Sequence, residues 1–192
     1  MDRAAKDSVK SIADVLLWVA IGAFVAALIF LIFFRFSPYR LVNVHGPSMQ
    51  PTLTDGDLIV LKTTPKIERD QIAVFDLPDE WANAVSKSTE SNLIKRVVGL
   101  PGDRLSYDGN QVNIQSENGK SYILREPKLS GCRLPSGSEL TVPKGEYFLA
   151  GDNRIQSFDS MAAWCQGLDP LIQKDTIGIN GELQTRIGLF SF

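Results

Sequence analysis

The sequence predicts a mainly β protein carried behind one N-terminal transmembrane helix, and three observations predict it. Val15 to Phe34 is an uncharged apolar run. From Leu41 onward, short runs of β-branched and aromatic residues are punctuated by Gly, Pro, Asn and Asp. Two dipeptides, Asp108-Gly109 and Asn118-Gly119, stand between such runs as hairpin turns. The chain has 192 residues, 44% of them hydrophobic, and a net charge of -2 that argues against a nucleic-acid partner. Setting aside about 40 residues for the anchor leaves about 150, enough for one domain with a core. The expected organisation is a cytoplasmic tail over 1–14, a transmembrane helix over 15–34, and a β domain over 35–192 outside the cytoplasm. Within that domain about 104–142 forms a β-hairpin insertion or cap.

A helix of about 20 residues at about 1.5 Å per residue spans the hydrocarbon of a bilayer once. The run ends in Phe33-Phe34-Arg35-Phe36 with no small-x-small site, which favours an anchor over a cleavable signal. Its apolar residues fall on every face, unlike a core helix. Arg3, Lys6 and Lys10 precede the run, whereas Arg35 and Arg40 follow it, a modest bias that puts the N-terminus inside. An extended link of about 3.3 Å per residue then keeps Ser48 within about 46 Å of the membrane exit point.

Leu41 to Val44 reads as a short strand, broken by Gly46 and Pro47, and Pro51 bars a regular strand beyond Ser48. Asp55-Gly56-Asp57 is a turn. The continuous apolar run Leu58 to Leu61 predicts a strand buried on both faces. Gln71 to Leu77 is the next strand. Pro78 to Asn92 is polar and irregular, with Trp81 either a tip directed at lipid or packed on the domain. Leu93 to Val98 is a strand, and both hairpin dipeptides predict type I′ turns, with positive φ at each central residue. Tyr147 to Ala150 is a strand leading into Gly151-Asp152-Asn153-Arg154, and Thr176 to Ile179 and Gln184 to Leu189 complete the sheet. Cys132 and Cys165 lack the paired spacing of a zinc site, and a disulfide or two free thiols fit equally.

Ser48, in Gly46-Pro47-Ser48-Met49-Gln50-Pro51-Thr52-Leu53, is the candidate nucleophile, and a serine hydroxyl needs a base to take its proton. His45 is the single histidine, but it lies three residues upstream, from where an imidazole rarely reaches the serine. Lys95 is the better candidate, with Ile94, Val97 and Val98 to bury it. From an ordinary pKa of about 10.4, roughly one lysine in 2,500 is neutral at pH 7, and bringing the amine near neutrality costs about 4 kcal/mol. Arg96 offers a competing register, because adjacent strand residues face opposite ways.

Four segments in order then carry a resemblance: Pro47 to Leu53, Gly56 to Lys62, Lys95 to Asp103, and Gly151 to Ser160 resemble the boxes of type I signal peptidases. The resemblance implies a coiled, mostly antiparallel β-sheet bearing a Ser48/Lys95 dyad. It implies a hydroxyl, Ser157, that orients the lysine, and support from Asp152, Asn153, Arg154, Asp159 and Ser160. Met49 and Pro51 are expected beside the substrate, and Ser48 N–H in the oxyanion hole. Two departures stand out. Gly46 occupies a position where some members have a serine that adds an oxyanion donor, and Met161 follows Asp159-Ser160 where arginine is common.

The implied activity is a membrane-bound serine endopeptidase that cuts signal peptides from exported preproteins after small residues, through an acyl-enzyme, without cofactor or metal. Its partners would be preprotein signal peptides and the lipid bilayer of a cell membrane, with a thylakoid membrane as the alternative location. A specialised relative serving one secretion or conjugation system is the second reading. A self-cleaving repressor is disfavoured because an apolar span, not a helix-turn-helix, precedes Ser48. A membrane-anchored scaffold with a dead site is disfavoured by the intact Ser48 and Lys95.

Overall fold

The computed structural model describes residues 2–82, 84, 92–125 and 132–187, with side chains in the N-terminal helix described from Asp14 on. Two units are present, residues 1–38 and 39–192. The first is a helix, α1 (Asp2–Arg35), whose backbone is helical well before the apolar run begins. Asp14–Arg35, 22 residues, is long and apolar enough to cross a membrane, and none of it is buried against protein. Val15, Trp18, Phe24, Ile29 and Phe33 all stand exposed, which suits lipid as the surrounding solvent.

The second unit is built on two antiparallel sheets. The larger contains β1 (Tyr39–Asn43), β2 (Leu58–Thr63), β3 (Ile72–Asp76), β4 (Asn92–Gly99), β9 (Glu146–Ala150), β10 (Ile172–Gln173) and β11 (Ile177–Ile187). Its strand order is β1-β2-β11-β3-β4-β9-β10. The smaller contains β5 (Arg104–Tyr107), β6 (Gln111–Gln115), β7 (Ser121–Arg125) and β8 (Ser138–Thr141), in the order β7-β6-β5-β8. Two short helices, α2 (Asp79–Ala82) and α3 (Ser160–Gln166), pack on this framework. The mainly β, antiparallel class expected from the sequence is the class observed.

Three details differ from the expectations, and one open alternative is decided. Apart from Thr176, which ends a 3-10 turn, the described tail residues are parts of one strand, β11, inserted between β2 and β3 in the large sheet, and Gly188 and Leu189 lie outside the described residues. Burial along β2 alternates, with Ile59 and Leu61 inside and Leu58 and Val60 half-buried, because only one face of β2 meets the core. Of the two readings of Trp81 the packed one is present: it is 1% exposed, lies edge-on to Phe75 and Phe158, and its Nε1 donates to Asp169 O at 2.9 Å. The hairpin turns are not type I′. Only their glycines have positive φ, Gly109 at 101° and Gly119 at 82°. Asp108 and Asn118 instead use their side-chain oxygens as turn acceptors, for Asn110 and Gln111 N–H and for Lys120 N–H respectively.

Three apolar clusters hold the unit together. One, around Val44, Met49, Leu53, Ile59 and Leu61, seats the segment that carries Ser48. Another, around Phe75, Trp81, Val97 and Leu149, backs β4 and β9. The third joins the two sheets through Leu105, Val112, Phe148 and Met161. A disulfide between Cys132 and Cys165 ties the chain after β7 to α3, so of the two alternatives for these cysteines the bonded one is present.

Candidate active site

Ser48 sits in a single turn between β1 and β2. Leu53 N–H donates to Met49 O at 2.9 Å and Gln50 N–H to Pro47 O at 3.1 Å, while Gly46 N–H is held by Asp55 Oδ1 at 2.9 Å. Met49 and Leu53, four residues apart, point into the core and fasten the turn; Ser48 is left half-buried at its rim. Met49 was expected beside the substrate, but at 1% exposure it is a core side chain with no surface to offer. Pro51 is exposed.

β4 supplies the lysine. Its side chains alternate, so Lys95 and Val97 are buried on one face while Arg96 and Val98 take the other. Lys95 is 2% exposed, and its Nζ donates to Ser48 Oγ at 2.9 Å and to Ile94 O at 3.1 Å. His45 is exposed.

Arg96 makes a forked contact with Asp152, Nε to Oδ1 at 2.8 Å and NH2 to Oδ2 at 2.6 Å, and its NH1 donates to Asp70 O at 2.6 Å. For Asp152, burial alone would raise the carboxyl pKa. Hydrogen bonds from Arg96 and from Thr52, together with the charges of Arg96 and Arg154, outweigh burial and hold it below the usual range. The hydrogen bond to Asp152 in turn pushes the Arg96 guanidinium up, against burial. Thr52 lies four residues after Ser48, so the forked pair links the lysine strand to the serine turn. The chain's sequence contained this link only as an alternation of β4 and a polar cluster at 152–159, with nothing to say which cation meets which carboxylate.

Beyond β9 the chain folds back on this link. Asp159 caps α3, accepting from Met161 and Ala162 N–H, and its second oxygen accepts from Gly151 N–H at 2.9 Å and pairs with Arg154. Arg154 also donates to Gly151 O at 2.9 Å. Ser160 Oγ, fully buried, accepts from Leu149 N–H at 2.9 Å. Met161 fills the core between the sheets, and Arg154 supplies the cation that pairs with Asp159. Asn153 donates through its main chain to Ser48 O at 3.0 Å and through Nδ2 to Pro47 O at 3.1 Å. Gly151 passes so close to the serine turn that a Cβ there would lie 2.5 Å from Ser48 O and 2.3 Å from Ser157 Oγ. The Ser157 hydroxyl is buried without a hydrogen-bond partner among the described residues, so the bond to Lys95 expected of it is not made here. Another pair without a sequence signature, half-buried Arg69 on buried Asp103 at 2.7 Å, braces the turn after β4.

The family model for signal peptidase, peptidase S26, covers residues 16–184. The chain belongs to the signal peptidase family. Among its relatives, signal peptidase I U of Bacillus subtilis (strain 168) is 35% identical over 144 residues, 71% of each chain. Signal peptidase I V of the same organism is 35% identical over 155 residues, covering 71% of this chain and 80% of the relative. The crystal structure of a signal peptidase I from Enterococcus faecalis V583 is 22% identical, covers 61% of this chain and 97% of that one, and aligns with a TM-score of 0.37. This signal peptidase is accordingly a serine peptidase, a hydrolase of signal-peptide processing.

Proposed function

We propose that this peptidase cuts preproteins after small residues of the signal peptide, with Ser48 as nucleophile and Lys95 as general base, while α1 anchors it in a bilayer. The observation that carries this reading is the 2.9 Å contact between Lys95 Nζ and Ser48 Oγ in a setting that leaves the lysine 2% exposed. Burial disfavours the ammonium and favours the neutral amine that a base must be. Neutral Lys95 accepts the Ser48 proton as Oγ bonds to the scissile carbonyl carbon. Ser48 N–H donates to the oxyanion that forms. The Lys95 ammonium then protonates the leaving amine as the C–N bond breaks, giving the acyl-enzyme. A water attacks that ester, passing its proton to Lys95, and Ser48 leaves with a proton returned from the lysine.

β4 pairs with β9 only from Arg96 onward. An extended substrate would add as a strand alongside β4 next to Lys95. The Cys132–Cys165 disulfide supports a β domain outside the cytoplasm, since disulfides persist in oxidising compartments. The test is cleavage of an Ala-x-Ala preprotein by the full chain in detergent. Ser48→Ala and Lys95→Ala should each abolish turnover while leaving the thermal melt of the β domain in place; undiminished processing by either variant would refute the dyad.

A further inference from the structure

Ser48 N–H is the main-chain donor that this segment can aim at an oxyanion, because Pro47 has no N–H and Gly46 brings no hydroxyl. That N–H shares one planar, trans peptide with the Pro47 carbonyl, so the two point in opposite directions, and whatever fixes the carbonyl fixes the N–H. Two donors fix it: Gln50 N–H at 3.1 Å and Asn153 Nδ2 at 3.1 Å. Asn153 also holds the next carbonyl, that of Ser48, through its own N–H at 3.0 Å, so one residue brackets the nucleophile's peptide. The amide can present only its nitrogen there, because Nδ2 faces two oxygens, Pro47 O and Gln156 Oε1 at 3.2 Å. Hydrogen bonds onto a carbonyl polarise the whole peptide and strengthen its N–H as a donor.

We infer that Asn153 is a positioning residue of the oxyanion site: through the Pro47 carbonyl it aims and polarises Ser48 N–H. With glycine at 46 supplying no second donor, this chain leans heavily on that N–H. The inference rests on the Ser48/Lys95 reading above. The experiment uses the full chain in detergent with an Ala-x-Ala preprotein, comparing Asn153→Asp and Asn153→Ala with the unaltered protein. Both variants keep the main-chain bond to Ser48 O, and Asp has the shape of Asn but cannot donate to Pro47 O, so it decides the matter if the Ala variant fails to fold.

Two probes separate positioning from general loosening. A peptide aldehyde of cleavage-site sequence, which adds reversibly to Ser48 and develops the tetrahedral oxygen, reports the oxyanion site. The matching peptide amide, bound to Ser48→Ala with and without the Asn153 change, reports the ground state. The expected result is a fall in kcat of about 10- to 100-fold, less than the loss of a whole oxyanion donor, with KM within about threefold. Aldehyde affinity should fall in step with kcat, and amide affinity should hold. A kcat within twofold of the unaltered protein, or amide binding lost in parallel with kcat, overturns the inference. If Ser48→Ala alone still cleaves, the dyad reading fails first; if it is inactive while Asn153→Asp is not impaired, the inference alone fails.

Discussion

Lys95 and Arg96 are neighbours in sequence and opposites in surroundings: one is buried against Ser48, the other forks onto Asp152. The difference dictates what each can do, because a guanidinium stays protonated at any working pH whereas a buried amine can give up its proton. Lys95→Arg should therefore put a permanent positive charge beside Ser48 and lose the base, lowering kcat by about 10²- to 10⁴-fold, measured on a preprotein in detergent. Gly151 makes a separate prediction. With a Cβ only 2.5 Å from Ser48 O and 2.3 Å from Ser157 Oγ, Gly151→Ala must displace the serine turn or the buried hydroxyl. A shift of about 1 Å at a nucleophile costs about 100-fold, so activity should fall by that order, and because the clash at Ser48 O is with backbone the melting temperature should fall as well, by an overpacking cost of about 1–3 kcal/mol. At this scale the sequence was informative about residue types. Ser48 and Lys95 stood out by chemistry, but the contact between Gly151 and a carbonyl about 100 residues upstream has no sequence signature.

Strand β4 is the element that both site networks share, with the lysine on one face and the Arg96–Asp152–Thr52 link on the other. Because the folded Asp152 carboxyl lies below its unfolded value of about 3.9, its stabilisation is complete above that pH and is lost as pH falls through the folded value. Asp152→Asn should thus destabilise the β domain at neutral pH by about 1–3 kcal/mol in urea unfolding. The difference from the unaltered protein should shrink as the pH drops below about 4. A difference unchanged between pH 7 and pH 3 would contradict the assigned charge. The β-forming run Leu93 to Val98 made this strand legible in the sequence, and period two then says that Lys95 and Arg96 face opposite ways. Its ion partners were not legible: Asp152, Arg154 and Asp159 read as one polar cluster, and the pairing follows from how β9 and α3 turn back toward β4. The same limit hid Arg69–Asp103, which joins residues 34 apart.

Across the whole molecule, local signals gave the elements and long-range pairing gave the architecture. The apolar span, the hairpins of the small sheet and the strands around the site could be read from periodicity and turn residues. The seat of β11 between β2 and β3 could not, because a C-terminal strand chooses its neighbours by sheet-wide packing. The disulfide belongs to this scale too. It closes a separation of 33 residues and fastens the small sheet to α3, whose cap Asp159 holds Gly151. Replacing both cysteines by serine should cost about 2–4 kcal/mol in denaturant unfolding, and reductant should lower the stability of the unaltered protein but not of that variant.

The central claim is that the fold keeps an amine uncharged beside one hydroxyl. Its most direct test is to follow Lys95 protonation by NMR of ¹³Cε-labelled lysine, assigned with Lys95→Ala, against the pH dependence of kcat/KM. The account predicts that Lys95 loses its proton well below the ordinary lysine range of about 10.4, and that kcat/KM rises over the same pH interval. A Lys95 that titrates near 10.4 in an enzyme already at full activity by pH 8 would contradict it.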